Sequence, residues 1–168
     1  MTHVDKRAIA ALIPHAGPMI LLDEVERYDD ERLVAVARSH VLPGNPLRDS
    51  QGRLPIACGI EYAAQAMAIH AGLRRAGVHG TPLPKPRAGL LAGMRGIVFL
   101  AAYLDDVPAP LKIEVESLSA DDSGALYKFA IRAGDRLMLS GRATVVYDAI
   151  NPGSFPARAA REVAAGAT

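Results

Sequence analysis

Pro55-Ile-Ala-Cys-Gly-Ile-Glu61-Tyr-Ala-Ala-Gln65-Ala-Met-Ala-Ile-His70-Ala-Gly-Leu73 decides how this chain reads. It is long enough and free enough of turn residues to be one helix, apolar nearly all round. Glu61 near its start is the only acidic residue between Asp49 and Asp105. A helix without a polar face must be wrapped by something else. A carboxylate on such a helix is costly unless it is paired, and groups of this kind are often kept for acid–base chemistry. The plainer alternative is that Glu61 faces solvent.

Outward from this stretch, Gly77 is the C-terminal stop signal for a helix over about 56–76. Upstream, Asp5–Ile13 reads as a short amphipathic helix capped by Thr2 or Asp5 and stopped by Pro14. Met19–Val25 and Leu33–Val41 are strand candidates, and 43–54 is a loop rich in Pro, Gly, Asn and Asp. Downstream, 80–87 carries three prolines and reads as an irregular connection. Four strands follow over Gly89–Leu104, Leu111–Ala120, Ala125–Ala133 and Leu137–Tyr147, with turns at Asp105-Asp106, Asp121–Gly124 and Ala133–Asp135. Consecutive strands joined by short turns predict an antiparallel meander. The expected class is α+β, a curved antiparallel sheet around one long helix. Residues 1–150 form one domain in this reading, and 151–168, rich in Ala, Arg and Gly, form a loose tail.

Composition narrows the function. The chain has 168 residues, half of them apolar, enough for one full core. A net charge of +1 without a long basic run leaves nucleic-acid binding without an electrostatic footprint. One cysteine, Cys58, excludes an internal disulfide, and the N-terminus lacks the pattern of a signal peptide; both fit a cytoplasmic protein. No stretch is apolar for long enough to span a membrane. The histidines and acids show no metal-ligand spacing, and there is no phosphate loop and no nucleophile elbow, so neither metal nor cofactor is expected.

Three separated motifs resemble the hotdog-fold beta-hydroxyacyl-acyl-carrier-protein dehydratases. The first is Pro14-His15-Ala-Gly-Pro18 followed by an apolar run to Asp23. The second runs from Pro55 through Glu61-Tyr-Ala-Ala-Gln65, and the third is Leu91-Ala-Gly93-Met with the meander behind it. Together they cover residues 12–148. Gly52-Arg-Leu-Pro55 and Ile60-Glu61 are most similar to a divergent branch associated with aryl-polyene-type clusters.

The resemblance implies dehydration of a 3-hydroxyacyl thioester on an acyl carrier protein, the substrate being carried on phosphopantetheine. It implies His40 and Glu61 as the catalytic pair, contributed across a homodimer. Familiar members place the histidine fourteen residues before the acid. Here position 47 is Leu, and His40 is the nearest candidate, with the 43–54 loop absorbing the difference. Backbone N–H groups at Ile56 and Ala57, and a second donor made accessible by Gly93, are the expected oxyanion contacts. Gln65, one turn after Glu61, either orients the carboxylate or bonds to backbone across the dimer. Arg95, Arg74 and Arg75 are candidates for a pantetheine phosphate. His15 reads as structural, and His70 points away from Glu61. Two alternatives stand beside dehydration: a hotdog thioesterase using Glu61 alone, and a non-catalytic subunit that pairs with another hotdog protein.

Overall fold

The computed structural model describes residues 4–79 and 89–147. The chain runs β1 (Val4–Asp5), α1 (Lys6–Leu12), β2 (Glu24–Tyr28), β3 (Arg32–Ala37), α2 (Gly59–His79), β4 (Gly89–Phe99), β5 (Leu111–Ala120), β6 (Gly124–Ala133) and β7 (Arg136–Tyr147). The seven strands form one antiparallel sheet in the order β1-β2-β3-β5-β6-β7-β4. The sheet curls over α2, as the all-round apolar helix requires. Tyr62, Ala63, Ala66, Met67 and Ile69 on α2 are buried against Leu33, Ala35, Ile113, Tyr127, Phe129 and Ile131 from the strands.

β5 and β6 alternate buried and open positions, as a sheet with one dry face must. Gly124 begins β6 opposite Val146, and a Cβ there would collide with the Val145 carbonyl oxygen. α1 is capped by Asp5, whose carboxylate accepts from Ala8 N at 2.9 Å, and it ends where Ile13 turns extended ahead of Pro14. Thr2, the alternative cap, lies outside the described residues, as do the 80–87 connection and the 151–168 tail.

Several expected boundaries shift, for local reasons. β1 is a two-residue strand too short to leave a periodic signal. The apolar run 19–25 is largely not a strand: Gly17–Met19 is a 3-10 turn, and pairing begins at Glu24. β3 stops at Ala37, and Ser39–Val41 is a second 3-10 turn that carries His40. Ile56–Cys58 is a 3-10 turn leading into α2, which runs on through Gly77 to His79. β4 ends at Phe99, and a 3-10 turn follows at Leu104–Asp106.

Two polar assemblies hold the segments around the start of α2. Ser39 Oγ donates to the Leu21 carbonyl at 2.7 Å, so the Tyr62 hydroxyl donates to Ser39 Oγ at 2.9 Å. Asn45 Nδ2 in turn donates to the Tyr62 oxygen at 2.8 Å. This chain of bonds fastens the loop after β3 to α2 inside the core. Nearer the surface, Asp105 accepts from Arg48 at 2.8 Å, Arg53 at 3.4 Å and Leu54 N at 3.2 Å. Burial raises the pKa of the Asp105 carboxyl, but these donors more than offset it and hold the group below its ordinary value.

Candidate active site

Glu61 lies in the first turn of α2, where the helix dipole favours a negative charge. Its Oε1 stands 3.0 Å from His15 Nε2 and accepts from Gln65 Nε2 at 3.0 Å. Among the described residues nothing bonds Oε2. Both partners of the contact keep about a third of their side-chain surface, 28% for His15 and 32% for Glu61. The pair is therefore partly sheltered and still reachable.

His15 arrives there because α1 packs on α2. A Cβ on Gly72 would stand 3.1 Å from Leu12 Cδ2, so the glycine permits the close approach. Pro14 then turns the chain, and His15 meets Glu61. His15 Nδ1 is buried and, among the described residues, has no hydrogen-bond partner.

Gln65 is fully buried and its orientation is determined. Its Oε1 accepts from Leu21 N at 3.0 Å, and its Nε2 donates to the Met19 carbonyl at 2.8 Å as well as to Glu61. All of this amide's donors are engaged. Of the two roles expected of Gln65, the described residues show it holding the carboxylate; the backbone groups it bonds, Leu21 N and Met19 O, belong to its own chain and not to a partner across a dimer.

The pair opens into a cavity of about 530 Å³ that follows one face of α2. Ala64, Met67, Ala68 and Ala71 recur at helical spacing along its wall, with Leu91 and Val145 from the sheet. Arg74 and Arg75 line its far end. A cavity of this size, mostly apolar with a few convergent polar groups, suits a small-molecule substrate.

The other expected site residues fall elsewhere. The His40 imidazole is fully buried, and its Nε2 bonds the Val107 carbonyl at 3.1 Å, so Nε2 carries the proton. Burial pushes its pKa below the ordinary histidine value. It does not line the cavity. The Ile56 N–H donates to the Ala102 carbonyl at 2.9 Å and so is not free to meet a substrate oxygen. Ala57 is exposed in the turn before α2. Gly93 and Arg95 lie on β4, opposite Thr144 and Arg142, and outside the cavity lining.

His70 is buried, with Nε2 donating to the Asp29 carbonyl and Nδ1 therefore accepting from the Tyr127 hydroxyl, both at 3.0 Å. The contact that sequence reasoning did not anticipate is His15 with Glu61. Its signals were the Pro14-His15 corner directly after the first helix and the Pro14-His15-Ala-Gly-Pro18 motif that begins there. Among the described residues, no group of three or more His, Cys, Asp or Glu stands close enough to hold a metal ion.

A curved antiparallel sheet around one long helix, with a histidine–carboxylate pair at the helix start beside an apolar cavity, defines a hotdog-fold protein. The model of the ApeP-like family, ApeP dehydratase, matches residues 7–155, and the chain belongs to that dehydratase family. The fold is similar to the dehydratase heterocomplex ApeI:P from Xenorhabdus doucetiae. There the TM-score is 0.72 at 19% identity, over 93% of this chain and 96% of that one. A thioesterase mutant from Pseudomonas aeruginosa aligns with TM-score 0.51 at 12% identity, over 75% and 81% of the two chains. A mutant hypothetical thioesterase protein from Streptococcus pneumoniae aligns with TM-score 0.51 at 14% identity, over 74% and 88%. No curated protein matches the sequence.

Proposed function

We propose that this dehydratase removes water from 3-hydroxyacyl thioesters carried on an acyl carrier protein, giving trans-2-enoyl thioesters in a fatty-acid-like or polyene pathway of the cytoplasm. The observation that carries the reading is the His15–Glu61 pair, 3.0 Å apart, at one end of an apolar cavity. The reaction breaks the C2–H bond and the C3–O bond. The C–H electrons become the C2=C3 double bond, and the C2 proton leaves with the hydroxyl as water. One acid–base unit beside both carbons can accept the first proton and return it to the departing oxygen. Glu61 Oε2 is the acceptor in this scheme, while His15 Nε2 and Gln65 Nε2 hold Oε1. His15 takes the place that the resemblance assigned to His40, whose ring is committed to the Val107 carbonyl.

A second hotdog chain completes the assembly in this proposal, either an identical copy or another hotdog protein. β4 is eleven residues long and, among the described residues, has no strand partner on one side; it exposes Leu90, Met94, Val98 and Phe99, with Leu100 just beyond its end. A long apolar edge of that kind is an aggregation hazard unless it is covered. Gly93 and Arg95 belong to that edge and would reach substrate across the pairing.

The test is mass spectrometry of a carrier protein loaded with a 3-hydroxyacyl chain. Loss of the mass of one water with the wild type, abolished by Glu61→Gln and by His15→Ala but kept in His40→Asn, supports the proposal. Release of free carrier points instead to thioester hydrolysis. No change in the absence of a second hotdog protein, and turnover in its presence, identifies an obligate heteromer.

A further inference from the structure

We infer that the far end of the cavity is an anion site, in which Arg75, assisted by Arg74, grips a phosphate or carboxylate group of the substrate remote from the reacting carbons. This rests on reading the cavity as the thioester pocket. Glu61 and Arg75 line the same cavity fourteen residues apart on α2, which places their Cα atoms about 21 Å apart along the axis. Between them the cavity face of the helix offers only Ala64, Met67, Ala68 and Ala71, while Tyr127 and Tyr147 line the cavity from the sheet. Arg75 Nε is buried and, among the described residues, has no hydrogen-bond partner. Arg75 as a whole is only half-buried, and the unpaired Nε is donor capacity that an oxyanion in the cavity engages once the guanidinium turns toward it. Arg74 Nη1 rests 3.5 Å from Ser117 Oγ, which steadies the neighbouring guanidinium. The planar fork of arginine suits the paired oxygens of phosphate or carboxylate.

Two carboxylates share this end of the cavity. Asp121 is turned into its own loop, with Oδ1 accepting from Ser123 N, Ser123 Oγ and Gly124 N. Asp122 is exposed on the same turn. They balance the charge of the two arginines, so the site selects by short-range hydrogen bonds and does not attract every anion. Two parts of a carrier-bound substrate can present such a group at this reach: the phosphate of the pantetheine arm, or a carboxylate at the distal end of the acyl chain.

The experiment compares wild type, Arg75→Gln and Arg75→Lys on four 3-hydroxyacyl thioesters. These are phosphopantetheine and dephosphorylated pantetheine forms, each with a methyl or a carboxylate at the chain end. Losing one charged hydrogen-bonding group should raise KM roughly ten- to hundredfold, with kcat little changed, only for substrates that carry the anion. Arg75→Lys, which keeps the charge without the fork, should fall between, and it carries the test if Arg75→Gln does not fold. A penalty that follows the phosphate, or one that follows the carboxylate, names the source. An equal penalty on all four thioesters, or none, overturns the inference. Calorimetric binding of the matching non-reactive thioethers reads the same contrast without turnover. A protein that binds in this anion-dependent way yet removes no water would keep the site and refute the dehydration chemistry, and the two failures remain distinguishable.

Discussion

Gln65→Leu tests the architecture of the site most directly. The substitution keeps the side-chain volume nearly constant and removes three hydrogen bonds, to Leu21 N, the Met19 carbonyl and Glu61 Oε1. The Leu21 N–H is left buried without a partner, at about 1–3 kcal/mol. The Met19 carbonyl is only partly covered and can recover some of its loss from water, adding roughly 0.5–1.5 kcal/mol. The added apolar contact of leucine offsets a fraction of this. The net loss should be about 2–4 kcal/mol, which for a chain of this length lowers Tm by roughly 5–15 °C. The assay is urea unfolding followed by far-ultraviolet circular dichroism, since the chain has no tryptophan. An unchanged m-value would show that the native state alone is affected. Dehydration should fall with it through kcat, because the carboxylate loses one of its two fixed contacts. A stability change below about 0.5 kcal/mol would refute the reasoning, since it would mean the amide does not satisfy these backbone groups.

Other consequences are checked as simply. His15→Ala should reduce turnover by about 10²-fold, because Glu61 loses a contact that positions its carboxylate, while leaving the urea midpoint nearly unchanged. Stability should decline as the pH falls through about 6.5. Burial first of all lowers the folded-state pKa of both His40 and His70, so below the unfolded value the unfolded chain binds protons that the native protein excludes. Urea midpoints at pH 7.5 and 5.5 should differ in wild type and converge when both histidines are replaced by Asn. Asp105→Ala should cost about 1–3 kcal/mol at neutral pH, read as a shift in Tm, because the Leu54 N–H and Arg53 Nε lose their acceptor while Arg48 keeps its bonds to the Leu42, Gly52 and His40 carbonyls. Gly124→Ala should destabilise by more than about 2 kcal/mol, because the new Cβ meets a backbone carbonyl oxygen and not a side chain that can move.

The sequence by itself determined the wrapping of sheet around helix. A nineteen-residue stretch with one carboxylate has no solvent face, and the period-two patterns behind it can only be strands, so the class followed from burial alone. Glu61 and Gln65 were visible for the same reason, as the polar residues one turn apart on an apolar helix. Local boundaries were less legible. The first half of the apolar run 19–25 is not strand because Gln65 and Ser39 take the backbone groups of Met19 and Leu21, and bonding to β3 starts only at the Asp23 N–H. The partner of Glu61 was decided only by tertiary structure. His15 and His40 are 46 and 21 residues away, and no local pattern says which ring comes within 3 Å. That choice is made by Leu12 seating on Gly72, which carries the Pro14–His15 corner to the helix start, and by the Val107 carbonyl, which takes the His40 ring into the core. The cavity belongs to the same category. Its small-residue face on α2 can be counted from the sequence, but whether the sheet fills that face or leaves it open depends on the curl of strands paired across the whole chain.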